Sequence, residues 1–170
     1  AAGAGGAAAA AAAAGPDAFE RALRRSFVVS SDMAHACHPN YADKHDPQLK
    51  PKVGGGMVLK HNANQRYATN AVGAFLFREI GRRAGLPTQE FAVRSDSGCG
   101  STIGPVTAGL TGINVVDVGS PQLSMHSVRE TMSAADVVAG YKHLKAVYET
   151  FPLVNNELSV DGHDAKRAKI

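Results

Sequence analysis

Two cysteines, Cys37 and Cys99, are all that this 170-residue sequence contains, and they form no C-x-x-C pair. A disulfide framework is therefore not indicated, since such scaffolds rest on several bridges and accompany a secretory segment, and none is read within this sequence. A reducing compartment, the cytoplasm, is the expectation. No stretch of about 18 or more strongly apolar residues occurs, so no membrane-spanning helix and no membrane partner are expected. Excess charge is small: 18 Lys and Arg stand against 15 Asp and Glu, a formal net charge of +3. The basic residues are scattered and have no interleaved aromatics, which argues against nucleic acid, because displacing its counterions takes a focused basic surface. The G-x-S-x-G elbow is absent as well, leaving a serine hydrolase without an anchor in the sequence.

What is present begins with a low-complexity opening: residues 1–15 are Ala and Gly only. The run Ala7 to Ala14 favours helix by propensity but has no apolar face to dock, so a mobile loop or insertion is expected. The first residue is Ala and not Met, and the chain is expected to begin inside a longer product or after processing. Three segments follow from composition: the Ala/Gly stretch at 1–16, one folded unit at 17–161, and a basic tail at 162–170 holding Lys166, Arg167 and Lys169. The middle segment is long enough for a core of its own, and a tail of that kind frays.

Pro16-Asp17 opens a short helix through Phe19 and Leu23. Ser26 to Asp32 is short and β-branched and reads as a buried strand with Asp32 at its C-terminal end. From Met33 to His61 the turn signals His38-Pro39-Asn40, Asp46-Pro47 and Gly54-Gly55-Gly56 indicate a long connection and no core element. Val72, Phe75, Leu76 and Ile80 share one side of a helix from Asn70 to Ala84, stopped by Gly85 and Pro87. A strand is expected at Phe91 to Asp96, then the Gly98 to Thr102 turn and a short helix from Ile103 to Gly109. Asn114 to Val118 is another buried strand. Val137, Tyr141, Leu144, Tyr148 and Phe151 mark a long amphipathic helix that packs on the sheet by that stripe. Strands alternating with helices imply an α/β fold with a mostly parallel sheet flanked by helices, whose ligands collect beyond the strands' C-terminal ends.

Three places carry side chains with chemistry. Asp32, His35 and His38 lie within seven residues; Asp and His are donors that zinc accepts, and hydrogen-bonded loop roles stay open for both histidines. His126 follows a buried strand, at the ligand-binding edge of the sheet. Arg129 and Glu130 come next, and Glu130 reads as a residue that orients the loop more readily than as a general base, which must reach the attacking water. Cys99 between Gly98 and Gly100 fits tight packing at a turn better than a thiol nucleophile.

Four segments, in order, resemble the aspartyl aminopeptidase family (peptidase family M18): Asp32-Met33-Ala34-His35-Ala36 with His38-Pro39-Asn40-Tyr41; Gln65-Arg66-Tyr67-Ala68-Thr69-Asn70; Cys99 to Pro105; and Gly119 to Leu123 with Met125-His126-Ser127 and Arg129-Glu130. The resemblance runs from about Phe19 to Asp161. It implies the C-terminal part of a zinc-exopeptidase-like catalytic domain. It further implies a site with two zinc ions that releases N-terminal Asp or Glu from peptides, and assembly into a homo-dodecamer. Carried over by motif, Asp32 and His126 resemble metal ligands, while Lys60, Tyr67 and His35 resemble substrate-pocket residues. The family's first His ligand, metal-bridging Asp and adjacent Glu pair, one of which is the general base, have no counterpart here. The alternative expectation is therefore a catalytically inactive fragment or pseudoenzyme that serves as an assembly or binding partner. An acidic substrate also calls for a cation in the pocket, and Lys60, at the end of Met57-Val58-Leu59, is the expected one, opening a polar loop toward Tyr67.

Overall fold

The computed structural model describes residues 15–158, so the expectations for the Ala/Gly run up to Ala14 and for the basic tail at 162–170 lie outside the described residues. Chain order is α1 (Ala18–Arg25), β1 (Phe27–His35), a 3-10 helix (Pro39–Lys44), β2 (Met57–His61), α2 (Ala71–Arg83), β3 (Thr88–Ala92), α3 (Gly104–Thr111), β4 (Asn114–Leu123), β5 (Thr131–Met132) and α4 (Ala134–Glu157). The strands form a five-stranded sheet of order β1-β4-β2-β3, with β5 on β4. β1 and β4 are parallel from Phe27↔Asn114 to His35↔Gln122, and β2 and β3 are parallel from Met57↔Thr88 to His61↔Ala92. β2 meets β4 antiparallel, at Val58↔Gly119 and Leu59↔Val118. The fold is thus the expected α/β class with a mostly parallel sheet, and the antiparallel seam joins its two parallel halves.

Alternation along the strands sorts side chains between two faces. Phe27 and Val29 of β1, Met57 and Leu59 of β2, and Val116 and Val118 of β4 share one core with Leu76, Phe77 and Ile80 of α2 and Ala146, Val147 and Val154 of α4. Ala34, Val58 and Phe91 form a smaller cluster on the other face, joined by Tyr67 and Val93. α3 lies on that second face, where Gly104 sits against the Asp117 carboxylate so closely that a Cβ would be 2.1 Å from Oδ2.

Several expectations are corrected. β2 lies inside the segment read as a connection; the glycines before it look like a loop, yet Asp136 at the start of α4 accepts from Gly54 N at 2.6 Å and Gly56 N at 2.9 Å and delivers the chain into the sheet. β1 continues past Asp32 to His35 because β4 continues to Leu123 beside it. Pro121 is tolerated there because the β2 ladder ends at Gly119. β3 covers Thr88–Ala92 and not Phe91 to Asp96, since its partner β2 ends at His61. Arg94, read as strand, is instead in an exposed turn, paired with Asp96 at 2.7 Å.

Both long helices bury only part of the expected stripe: Leu76 and Ile80 of α2 and Phe151 of α4 pack on the core, and the rest of each buried face is rotated from it. α2 is capped by the Asn70 side chain, which accepts from Gly73 N at 2.8 Å. It buries Gly73, Leu76, Phe77, Ile80 and Gly81, while Val72 and Phe75 are exposed. α4 buries Gly140, His143, Ala146 and Val147, while Val137, Tyr141 and Tyr148 face outward. Small residues decide the crossing. His143 stacks on Phe77 with ring centroids 3.8 Å apart, and a Cβ on Gly81 would lie 2.5 Å from His143 Cε1. The glycine lets the backbones approach, and close-packed contact outweighs the aromatic stripe.

Candidate active site

A cavity of about 630 Å³ opens on the sheet face opposite the α2–α4 core, and Asp32, His35, Lys60, Tyr67 and His126 all line it. Five positions spread over 95 residues of sequence, 32 to 126, meet there: Asp32, His35 and Lys60 on strands, His126 in the loop after β4, and Tyr67 in the β2–α2 connection that Asp117 holds. The site occupies the face of the sheet as well as its loop end, since Asp32 and Lys60 lie within strands.

Asp32 alternates with Ala34 on β1 and holds Met33 N at 2.6 Å through Oδ1. It makes no ion pair among the described residues. His35 ends β1 and tilts against Phe91, 6.2 Å between ring centroids. Burial first, then His126 and Lys60, hold its imidazole below the ordinary pKa and so neutral at pH 7. His126 stands in the loop after β4 with φ 67°. Its N–H donates to the Glu130 carboxylate, so Glu130 orients the loop, as its sequence position implied. No Arg129–Glu130 ion pair forms among the described residues.

Lys60 does not open a loop but sits in β2 at 2% exposure. Its Nζ donates to Met33 O at 3.2 Å and lies 5.1 Å from the Tyr67 ring centroid. Burial lowers its pKa, opposed by Asp32, Asp117 and Cys99. No carboxylate pairs with it among the described residues. Tyr67 accepts from Cys99 Sγ at 3.4 Å, and burial, with that bond, pushes its phenol well above the usual range.

Sequence reasoning missed three contributors. His45 lines the cavity, edge-on to Phe91 with centroids 5.6 Å apart, and burial lowers its pKa. Cys99 forms part of the wall through its bond to Tyr67, a role that a glycine-flanked turn did not reveal. Asp117, fully buried on β4, fixes the Tyr67 segment: Oδ2 accepts from Ala68 N at 2.6 Å, and Asp117 N donates to Thr69 Oγ1 at 3.0 Å. Its signal was legible, a carboxylate within the valine run Val115-Val116-Asp117-Val118.

Lys44, Lys60 and Arg94 line the cavity, Arg94 already paired with Asp96, and Asp32 is the one carboxylate among its described lining residues. Asp32 and His126 are donors of the types zinc takes, but among the described residues no three His, Cys, Asp or Glu side chains are grouped to hold a metal ion. A zinc centre takes three or four protein ligands, so these residues alone do not fit a whole one.

The sequence matches the family model of aminopeptidase I zinc metalloproteases (M18) over residues 8–148. The chain belongs to the M18 aminopeptidase family. It is 56% identical over 141 residues to a probable aspartyl aminopeptidase of Ricinus communis, a match covering 83% of this chain and 29% of that protein. Among solved structures, a chain of the Ape4–Nbr1 complex superposes with a TM-score of 0.83 at 40% identity, over 86% of this chain and 28% of that one. The S. cerevisiae mApe1 dodecamer gives 0.75 at 30% identity, over 83% and 31%. The chain therefore spans less than a third of the length of these relatives.

Proposed function

We propose that the M18 protein to which this chain belongs is a zinc aminopeptidase releasing N-terminal Asp or Glu from peptides in the cytoplasm. Asp32 and His126 supply metal ligands, two zinc ions completing the site with donors from elsewhere in the protein. Lys60, Tyr67 and His35 form the pocket for the substrate's first side chain. The observation that carries this reading is Lys60, buried on the cavity wall without a carboxylate partner among the described residues. A substrate carboxylate entering such a site loses hydration that an apolar wall cannot replace, and the Lys60 ammonium replaces it. His35, kept neutral, adds a hydrogen-bonding group without a competing charge. Tyr67 fixes the ammonium from below through its ring face.

With two donors and no base, the 170-residue chain alone is an inactive part of this machinery, which is the reading the ungrouped donors favour. Exposed Val137, Tyr141 and Tyr148 on α4 fit an assembly surface, and the likeness to the mApe1 dodecamer supports a homo-oligomer. The test uses the complete protein with Asp-, Glu- and Ala-initiated peptides. Hydrolysis of the acidic peptides is expected to cease on chelation and return with Zn²⁺, and Asp32→Ala and His126→Ala are expected to lose zinc. Unchanged zinc content in both variants would overturn the ligand assignment. Robust hydrolysis by the 170-residue chain alone would overturn the division of labour.

A further inference from the structure

We infer that a second, polar groove beside the main cavity receives a carboxylate of the peptide downstream of its first residue, with Arg66 as the group that reads it; this rests on the aminopeptidase reading above. The groove, about 400 Å³, lies between Asn64, Gln65 and Arg66 on one side and the turn holding Ser97 and Ser101 on the other. Ser97, Gly98, Cys99 and Ser101 line both it and the main cavity, so the two spaces share one wall. Successive residues serve the two sides. Tyr67 bonds Cys99 from the cavity, while Arg66 Nη1 donates to Ser101 Oγ at 3.2 Å from the groove.

Three features make this more than a surface dent. First, Arg66 is the one cation among the described residues lining the groove, and it has no carboxylate partner among the described residues. Second, the segment is held in an uncommon conformation. Gln65 has φ 53°, and Asn62 imposes the turn by accepting from Asn64 N at 2.7 Å and Gln65 N at 3.1 Å. Such backbone persists where its surroundings over-determine it. Thr102 N donates to Arg66 O at 3.3 Å, tying the same residue to the shared wall. Third, the lining offers a guanidinium with amides and hydroxyls and no carboxylate, which is a receptor for an anion with planar oxygens.

Spacing fixes where on the peptide that anion lies. Neighbouring Cα atoms are about 3.8 Å apart and an extended peptide advances about 3.4 Å per residue. Arg66 and Tyr67 are such neighbours, so a peptide whose first side chain meets Tyr67 has the residues that follow within reach of Arg66. The carboxylate belongs either to an acidic side chain there or to the C-terminus of a short peptide.

The experiment compares, in the complete protein, Asp-Ala-Glu-Ala-amide with Asp-Ala-Gln-Ala-amide, and Asp-Ala-Ala with its amide. Each is assayed with the wild type, Arg66→Gln and Arg66→Lys. The wild type is expected to favour the carboxylate-bearing member of at least one pair by about three- to tenfold in kcat/KM, mainly through KM, the scale of a solvent-accessible charge-assisted contact. The pair showing the preference identifies the source of the carboxylate. In Arg66→Gln the ratio is expected to fall to about one, with Arg66→Lys between. Ratios near one in the wild type for both pairs, or a ratio retained in Arg66→Gln, would overturn the proposal. If no peptide is cleaved, the aminopeptidase reading fails. Calorimetric titration of the same peptides then decides the groove: tighter binding of the carboxylate member, lost in Arg66→Gln, sustains it, and equal affinities refute it.

Discussion

Replacing Lys60 by Met in the complete enzyme tests the specificity reading most directly. Met keeps an unbranched stem of similar volume in the 2%-exposed position and removes the ammonium with its bond to Met33 O and its contact with the Tyr67 ring. Against an acidic substrate the loss is that of a hydrogen bond to a charged group, about 2–3 kcal/mol, or about 30- to 150-fold in kcat/KM. An Ala-initiated substrate makes no such bond and is expected to change by less than about threefold. Stability moves less, because the variant removes a poorly compensated buried charge while leaving one carbonyl without its donor, each about 1–2 kcal/mol and opposed in sign. The assay is a matched series of Asp, Glu and Ala anilides, with a urea melt of each variant to separate misfolding from lost recognition. A pH series adds an independent sign. Burial depresses the Lys60 pKa below its ordinary 10.5, so acidic preference is fullest at the low end of the series and fades as pH rises through the depressed value. Lys60→Met is expected to show no such limb. Equal losses on Asp and Ala substrates, or none on either, would assign the reading of the acidic side chain to another residue.

Three further outcomes are expected. Gly81→Ala lowers stability by about 1–3 kcal/mol despite better helix propensity, because its Cβ would lie 2.5 Å from His143 Cε1 and 3.1 Å from Thr88 Oγ1; an unchanged urea midpoint would refute the packing argument. Asp117→Asn weakens the clamp on Ala68 N by about 1–3 kcal/mol and raises KM through a looser Tyr67, whereas wild-type melts and KM would show the clamp to be idle. His143 has its pKa lowered by burial, so the unfolded chain binds its proton first. Its contribution to stability is full above the unfolded value of about 6.5 and is lost as pH falls through the folded one. Between pH 7.5 and 5.5, urea melts of His143→Gln are expected to decline less than those of the wild type, and parallel declines would place the acid sensitivity elsewhere.

How far the fold was legible depended on whether local pattern or tertiary contact set each element. β4 and α2 carry their own signals, a valine run and an Asn70 cap followed by a Gly85 stop, and both stand within a few residues of expectation except where β4 runs on to Leu123. β2 carries none: its five residues follow three glycines, and the contacts that make it a strand come from β3, β4 and Asp136, far along the chain. The buried faces of α2 and α4 were misread for the same reason. Hydrophobic spacing selects a face when side chains compete for burial, but here Gly81 and Gly140 allow closer contact than Val137 or Tyr141 would. The faces turned inward are those whose glycines let large neighbours such as Phe77 and His143 stack.

The site was more legible than the elements bearing it. Asp32, His35, Lys60, Tyr67 and His126 line one cavity although Lys60 was assigned to a loop mouth, because motif order constrains which side chains meet without constraining the backbone between them. Of the missed residues, His45 and Cys99 lie in connections, but Asp117 obeys a rule the strands themselves supply. On β1 and β2 the inward face alternates, so Asp32 with Ala34 and Val58 with Lys60 share the cavity side, while Val29, Met57 and Leu59 do not. Applied to β4, the same alternation puts Val116 and Val118 in the helical core and Asp117 on the other face, beneath α3 and the Tyr67 segment. A carboxylate at that register is costly unless the opposite layer supplies donors; Ala68 N supplies one to Oδ2, while Oδ1 has no hydrogen-bond partner among the described residues. A polar residue in an otherwise apolar strand, read by register, thus points to the segment it anchors, here the one that carries Tyr67 on the cavity wall.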